Sequence, residues 1–91
     1  MPVRIKLPRY LQEKTTAETP IEVEGATVGE CIDALIQRYP QLKGEILDSQ
    51  GTVLLKWTIC INDHSVPVPE ELSHLVKDGD TIALLPVVAG G

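Results

Sequence analysis

The chain has 91 residues, 43% hydrophobic and 23% charged, with 13 Asp and Glu against 8 Lys and Arg for a net charge of −5. That length fits one small domain with a core of its own and leaves no room for a second. The acidic balance excludes a nucleic-acid binder with a basic stripe and stacking aromatics; it fits either docking on basic partner surfaces or the plain need to stay soluble.

The opening "PVRIKLP" alternates, with Val3, Ile5 and Leu7 on one face and Arg4 and Lys6 on the other, which predicts a strand with one buried side closed by Pro8. No apolar run follows the first charges, so no secretory leader is expected. The stretch from Gln12 to Thr19 is polar and reads as a turn. Ile21 and Val23 alternate again before Gly25, and two strands so close in sequence predict an antiparallel pair.

Thr27 followed by Glu30 forms a capping box and starts a helix. Val28, Ile32, Leu35, Ile36 and Tyr39 make its apolar stripe, Cys31 lies beside that stripe, and Pro40 ends it. Leu42, Ile46 and Leu47 predict a further short turn of helix over an edge of the core. "VLLKWTICIND" is the most β-prone segment, with Leu55, Trp57, Ile59 and Ile61 on one side and Lys56, Thr58 and Cys60 on the other. Asn62 and Asp63 predict a turn that includes His64, and "SVPVP" a short edge strand, because Pro67 and Pro69 cannot donate to a ladder. Leu72, Leu75 and Val76 lead into a tight turn at Asp78-Gly79-Asp80, and "TIALLPV" is the closing strand.

One amphipathic helix after a first strand pair, with a later strand returning to the middle of a mixed sheet of four or five strands, predicts an α+β fold of the ubiquitin-like β-grasp kind. The β-grasp domain is expected over residues 1–86, with 87–91 as an extended, flexible C-terminal tail.

No catalytic apparatus is expected inside this domain. His64 and His74 have no partner at metal-ligand spacing, and Cys31 and Cys60 form no CxxC pair, so no metal site is predicted. Cys31 reads as a small core filler, and Cys60 has no base beside it in sequence that would make it a nucleophile. Free thiols in a reducing cytoplasm are the expected state. Two cysteines are too few for a plant-type iron–sulfur cluster, and Asp78-Gly79-Asp80 is no phosphate loop because a strand follows it. Glu22, Glu24, Glu70 and Glu71 read as solvated charges. No apolar stretch is long enough to span a membrane.

The tail carries the functional signal. Ile82 and Leu84 alternate into the core, so Ala83, Leu85 and Val87 face outward as a patch for a partner protein, or as ordinary surface apolarity. Beyond Pro86, five residues extend roughly 17 Å at about 3.3–3.6 Å each. Val88 and Ala89 are small, Gly90 has no side chain, and the tip of the thread offers the α-carboxylate of Gly91. A carboxylate is a poor electrophile until ATP adenylates it; a sulfur nucleophile then gives a thiocarboxylate, and an amine gives an amide. The chain has no ATP cradle, so another protein must supply one.

"DGDTIALLPVVAGG", with "INDHSV" and the capped helix "TVGECIDALIQRYP", resembles the ubiquitin-like sulfur-carrier family (MoaD/ThiS type). That family includes the small subunit of molybdopterin synthase, the thiamine sulfur carrier and carriers serving cysteine synthesis. The resemblance implies a carrier, not an enzyme, with no bound cofactor. Gly91 would be adenylated by a ubiquitin-activating-type adenylyltransferase that uses ATP, then converted to a thiocarboxylate. Gly90, Ala89 and Val88 would give access to the partner's site, and Ala83, Leu85 and Val87 would contact the activating and acceptor enzymes. The acceptor would be cysteine synthase-like or the large subunit of molybdopterin synthase, with no role for nucleic acid or membrane. The segment "LDSQGTVLLKWTICINDHSV" and the close "LLPVVAGG" look most like carriers for cysteine synthesis. Leu84 and Leu85 depart from the bulky aromatics that the molybdopterin branch often shows before its tail. A ubiquitin-like modifier joined to lysines through Gly91 begins with the same adenylate, so the tail does not separate the two fates.

Overall fold

The computed structural model of the chain describes residues 2–15, 20–66 and 72–87. Strand β1 (Val3–Lys6) follows from strict alternation: Val3 and Ile5 are buried, Arg4 and Lys6 exposed. Pro8 ends it, but the turn expected from Gln12 is instead helical through Thr15, in helix α1 (Arg9–Thr15). The Pro8 carbonyl accepts the N–H groups of Leu11 and Gln12, both at 3.0 Å. Leu11 and Thr15, one turn apart, are the residues α1 buries, so a single apolar side chain marks the helix and no stripe is visible in the sequence. The rest of the expected turn, residues 16–19, lies outside the described residues.

Strand β2 (Ile21–Val23) pairs antiparallel with β1, Val3 opposite Val23 and Ile5 opposite Ile21. Glu22 and Glu24 are exposed, as their alternation predicts. The chain then passes so close to the next helix that a Cβ on Gly25 would sit 2.9 Å from the Cys31 nitrogen. Helix α2 (Val28–Arg38) is capped by Thr27, whose hydroxyl accepts the Glu30 N–H at 3.1 Å. The Glu30 carboxylate reaches back to the N–H of Ala26 at 2.9 Å, one residue before the cap. Val28, Ile32 and Leu35 are buried, and Ile36 and Tyr39 pack against the core from its margin. Cys31 lies inside the stripe and not beside it, fully buried.

Pro40 ends α2 and opens a 3-10 turn (Pro40–Leu42) that runs into the short helix α3 (Lys43–Ile46). Leu42, Ile46 and Leu47 are all buried there. The following loop is closed by Asp48, whose carboxylate accepts the N–H groups of Gln50 at 2.8 Å and Thr52 at 3.0 Å. The next strand starts later than alternation predicts. A turn in which Trp57 N–H donates to the Leu54 carbonyl at 3.0 Å throws Leu55 outward, where it is 88% exposed.

Strand β3 (Trp57–Ile61) buries Trp57, Ile59 and Ile61, and the Trp57 indole N–H donates to the Glu45 carbonyl at 2.6 Å. Asn62 and Asp63, at φ 50° and 72°, form the two-residue turn into strand β4 (His64–Ser65). His64 therefore opens the edge strand and does not belong to the turn, and the strand ends at Ser65, before the prolines. Residues 67–71, with Glu70 and Glu71, lie outside the described residues.

The segment after that gap stitches itself to the start of α2: Gly29 N–H donates to the Leu72 carbonyl at 2.8 Å, and Val28 N–H to the His74 carbonyl at 3.0 Å. These are two of the donors that a helix start leaves without an internal partner. Leu72 and Val76 pack on the core, whereas Leu75, expected with them, is 73% exposed. Gly79, at φ +90°, supplies the turn into strand β5 (Thr81–Pro86).

The sheet runs β2-β1-β5-β3-β4, with β5 parallel to β1 and antiparallel to β3. A mixed five-stranded sheet whose last strand is central, with α2 packed on one face, is the ubiquitin-like β-grasp.

Candidate functional site

The site begins with the register of β5, since a slip of one residue would exchange its two faces. Asp80 sets that register. One carboxylate oxygen accepts the Lys77 N–H at 2.9 Å and the other the Asn62 side-chain amide at 2.9 Å. The Asn62 side-chain oxygen in turn accepts the Thr81 N–H at 3.0 Å, so the β3–β4 turn grips the first residue of β5. The Lys77 N–H first, and then the Asn62 amide, hold the Asp80 carboxyl below the ordinary aspartate range.

With the register fixed, Ile82 and Leu84 are fully buried, and Ala83 and Leu85 face the opposite side of the sheet. No described helix covers that side. In the ladder, Ala83 lies between Lys6 of β1 and Cys60 of β3, and Leu85 lies beside Thr58. Leu85 is 46% and Val87 49% exposed, while Ala83 is half-buried. A depression beside them is lined by Lys6, Leu7, Pro8, Cys60 and Leu85. The structure thus puts Ala83 and Leu85, two of the three residues named from alternation, on one open face, and Val87 follows them, exposed, just after the strand.

One further pair of groups on this face was not singled out from the sequence. Arg4 and Lys6 flank β5 on the β1 side, opposite Thr81 and Ala83. On the other side, the Lys56 carbonyl accepts the Val87 N–H at 2.8 Å, one residue beyond the expected domain boundary. The Lys56 ammonium sits over the rings of Tyr10, at 5.5 Å, and Trp57, at 5.4 Å. Alternation placed Arg4 and Lys6 away from the core, but nothing in the sequence says that β1 is the neighbour of β5. Val88, Ala89, Gly90 and Gly91 lie outside the described residues.

Cys60 is half-buried on the open face and Cys31 is in the core; both are free thiols. Burial, and then the neighbouring Glu30 charge, push the Cys31 thiol up, so it stays protonated and acts as a packing group. His74 is exposed, with Nδ1 2.9 Å from the Leu75 carbonyl. Among the described residues no group of three His, Cys, Asp or Glu is placed to hold a metal ion, and no helix is long and apolar enough to cross a membrane.

The same fold recurs in known proteins. A family model described as the ThiS family matches residues 5–91. The sulfur carrier protein CysO of Mycobacterium tuberculosis is 30% identical over 93 residues, covering all of both chains. A molybdopterin synthase sulfur carrier subunit from the same organism is 36% identical over 78 residues, covering 81% of this chain and 80% of its own. Among solved structures, a chain of the Amycolatopsis orientalis BexX/CysO complex superimposes with a TM-score of 0.84 and 35% identity, over 98% of this chain and 99% of its own.

Proposed function

This chain belongs to the ThiS family, and from that premise we propose that it is a sulfur carrier whose Gly91 carboxylate becomes a thiocarboxylate. The observation that supports this most is the family match through Gly91, joined to a relative named as a sulfur carrier that matches over the whole chain. The β-grasp body acts as a carrier and performs no chemistry itself. A partner adenylyltransferase of the ubiquitin-activating type joins the carboxylate to AMP and releases pyrophosphate. A sulfur nucleophile then attacks the acyl carbon; the C–S bond forms, the C–O bond to AMP breaks, and AMP leaves. Gly90, with Ala89 and Val88, threads the carboxylate into the partner's site, and Ala83, Leu85 and Val87 form the contact that docks the body.

Cysteine synthesis is the pathway the comparisons favour. The CysO relative is matched over all of this chain, the molybdopterin relative over 81% of it. An acceptor enzyme of cysteine synthase type then takes the sulfur.

The test is the intact mass of the protein after incubation with its adenylyltransferase, ATP and a sulfur source. Replacement of one oxygen by sulfur, mapped to Gly91, is the expected result, and Gly91→Ala removes it without shifting the melting temperature. An unloaded chain found amide-linked to lysines overturns the carrier reading in favour of a protein modifier. Thiocarboxylate consumed only by molybdopterin synthase, and not by a cysteine synthase-type acceptor, overturns the pathway and keeps the carrier.

A further inference from the structure

Exposed apolar side chains scattered one at a time are ordinary, and a group of them at one end of a fold is not. Among the described residues the exposed large hydrophobics are Tyr10, Leu55, Leu75, Leu85 and Val87, and all but Leu75 gather where β5 runs out. They meet around Lys56. Its carbonyl accepts the Val87 N–H at 2.8 Å, its ammonium lies 5.5 Å from the centroid of the Tyr10 ring, and Leu55 precedes it in the chain. Leu75 instead bridges to Thr27, which follows β2 at the end of the sheet where β5 begins. Leu55 is out of place by its chemistry. It stands at the tip of the turn from Leu54 to Trp57, where Gly, Asn, Asp, Ser or Pro is usual, and its side chain contributes almost nothing to the core. Tyr10 is exposed yet held, because the ammoniums of Lys14, at 5.1 Å, and Lys56 both lie over its ring. A large flat side chain that is already fixed loses little freedom when it is covered, which suits a binding anchor.

The carrier reading above, on which this step rests, says what covers them. Gly91 is the fourth residue after Val87, and four residues span at most about 14 Å. A protein that takes the Gly91 carboxylate into an enclosed site therefore closes to within that distance of Val87, and the side chains around Val87 are the first it meets. We propose that Tyr10 and Leu55 join Val87 in an apolar collar at the base of the tail, received by an apolar rim around the mouth of the adenylyltransferase site. The row of Ala83, Leu85 and Val87 belongs to β5 and the residue after it, and a contact along one strand leaves the body free to pivot about that line. The collar adds contacts from α1 and from the turn before β3, off that line, and so fixes the direction in which the tail is presented.

The experiment titrates the full chain against its own adenylyltransferase without ATP. Leu55→Asn, which puts a favoured turn residue at the tip, and Tyr10→Gln each raise the Kd about tenfold or more, whereas Leu55→Met stays within about threefold of wild type. Leu75→Asn, at a comparably bare leucine on the other end, stays within about twofold. Gly91 loading, read by intact mass with ATP and a sulfur source, needs correspondingly more Leu55→Asn protein but approaches the wild-type rate at saturation, since the tail is untouched. Melting temperatures establish that each variant is folded, and Leu55→Asn carries the test if Tyr10→Gln, in the helix that buries Leu11, is not. Leu55→Asn binding as tightly as wild type overturns the proposal, and so does Leu75→Asn binding as weakly as Leu55→Asn. A chain that self-associates through Leu55 in sedimentation, while Leu55→Asn binds the adenylyltransferase normally, makes a second copy the occupant and overturns it too. Loading with collar-blind binding overturns the collar alone. Collar-dependent binding without sulfur at Gly91 overturns the carrier chemistry alone, and a wild-type chain that does not bind overturns both.

Discussion

Asp80 reads in the sequence as one more turn acid, and the structure makes it the residue that holds β5 in place. Its role was hidden because its partners, Asn62 and the Lys77 N–H, come together only after the sheet forms. The depressed Asp80 pKa fixes the sign of a pH effect. Its stabilisation is fully present above the unfolded-state value of about 3.9 and is lost as pH falls through the lower folded-state value. Asp80→Asn therefore lowers the urea midpoint at pH 7 and shrinks the further loss that wild type suffers below about pH 4. Equal acid sensitivity in the two proteins, from paired urea titrations, contradicts this. The thiols divide just as cleanly. Cys60, half-buried on the open face, is alkylated in the native protein, whereas Cys31, fully buried, reacts only on unfolding. Mass spectrometry of briefly labelled protein reports both. The filler role of Cys31 was legible from its nearness to the helical stripe, although the structure puts it within that stripe.

Strand β5 carries opposite duties on its two faces, and single substitutions separate them. Leu84→Ala leaves a cavity under α2 and costs about 2–5 kcal/mol, seen as a lower denaturant midpoint. Leu85→Asp sits on the open side, changes stability by only ~0.5 kcal/mol and abolishes association with the adenylyltransferase. Thr27→Ala removes the cap of α2 and costs about 1 kcal/mol in the same unfolding measurement. Elements with a strong period were legible: β1 and β5 from alternation, α2 from its capping box and stripe. Helix α1 was not, because Leu11 alone marks it and Pro8 reads first as a strand stop. The start of β3 was misjudged for the converse reason. Leu55 continues an apolar alternation that the Trp57-to-Leu54 turn has already broken.

For the whole molecule, the order of its elements suggested the fold class and the closing motif its family, but net charge does not say which face docks. Net charge sums over both layers, and only the strand order shows that Arg4 and Lys6 share a face with Leu85. That order also constrains how the molecule comes into being. Synthesis runs from β1 to β5, yet β5 is the middle of the sheet. Until Thr81–Pro86 emerges, β1 and β3 have no strand between them, and the core lacks Ile82 and Leu84. The long-range pairing that closes the sheet is then the slow, final event, and a nascent chain waits for it with its inner edges bare. A chain halted before Thr81 has neither a closed core nor a row of Ala83, Leu85 and Val87, so it has nothing with which to occupy a partner unproductively. On the function proposed above, stability and recognition are written on one strand, and the body becomes stable in the same step that completes its docking row.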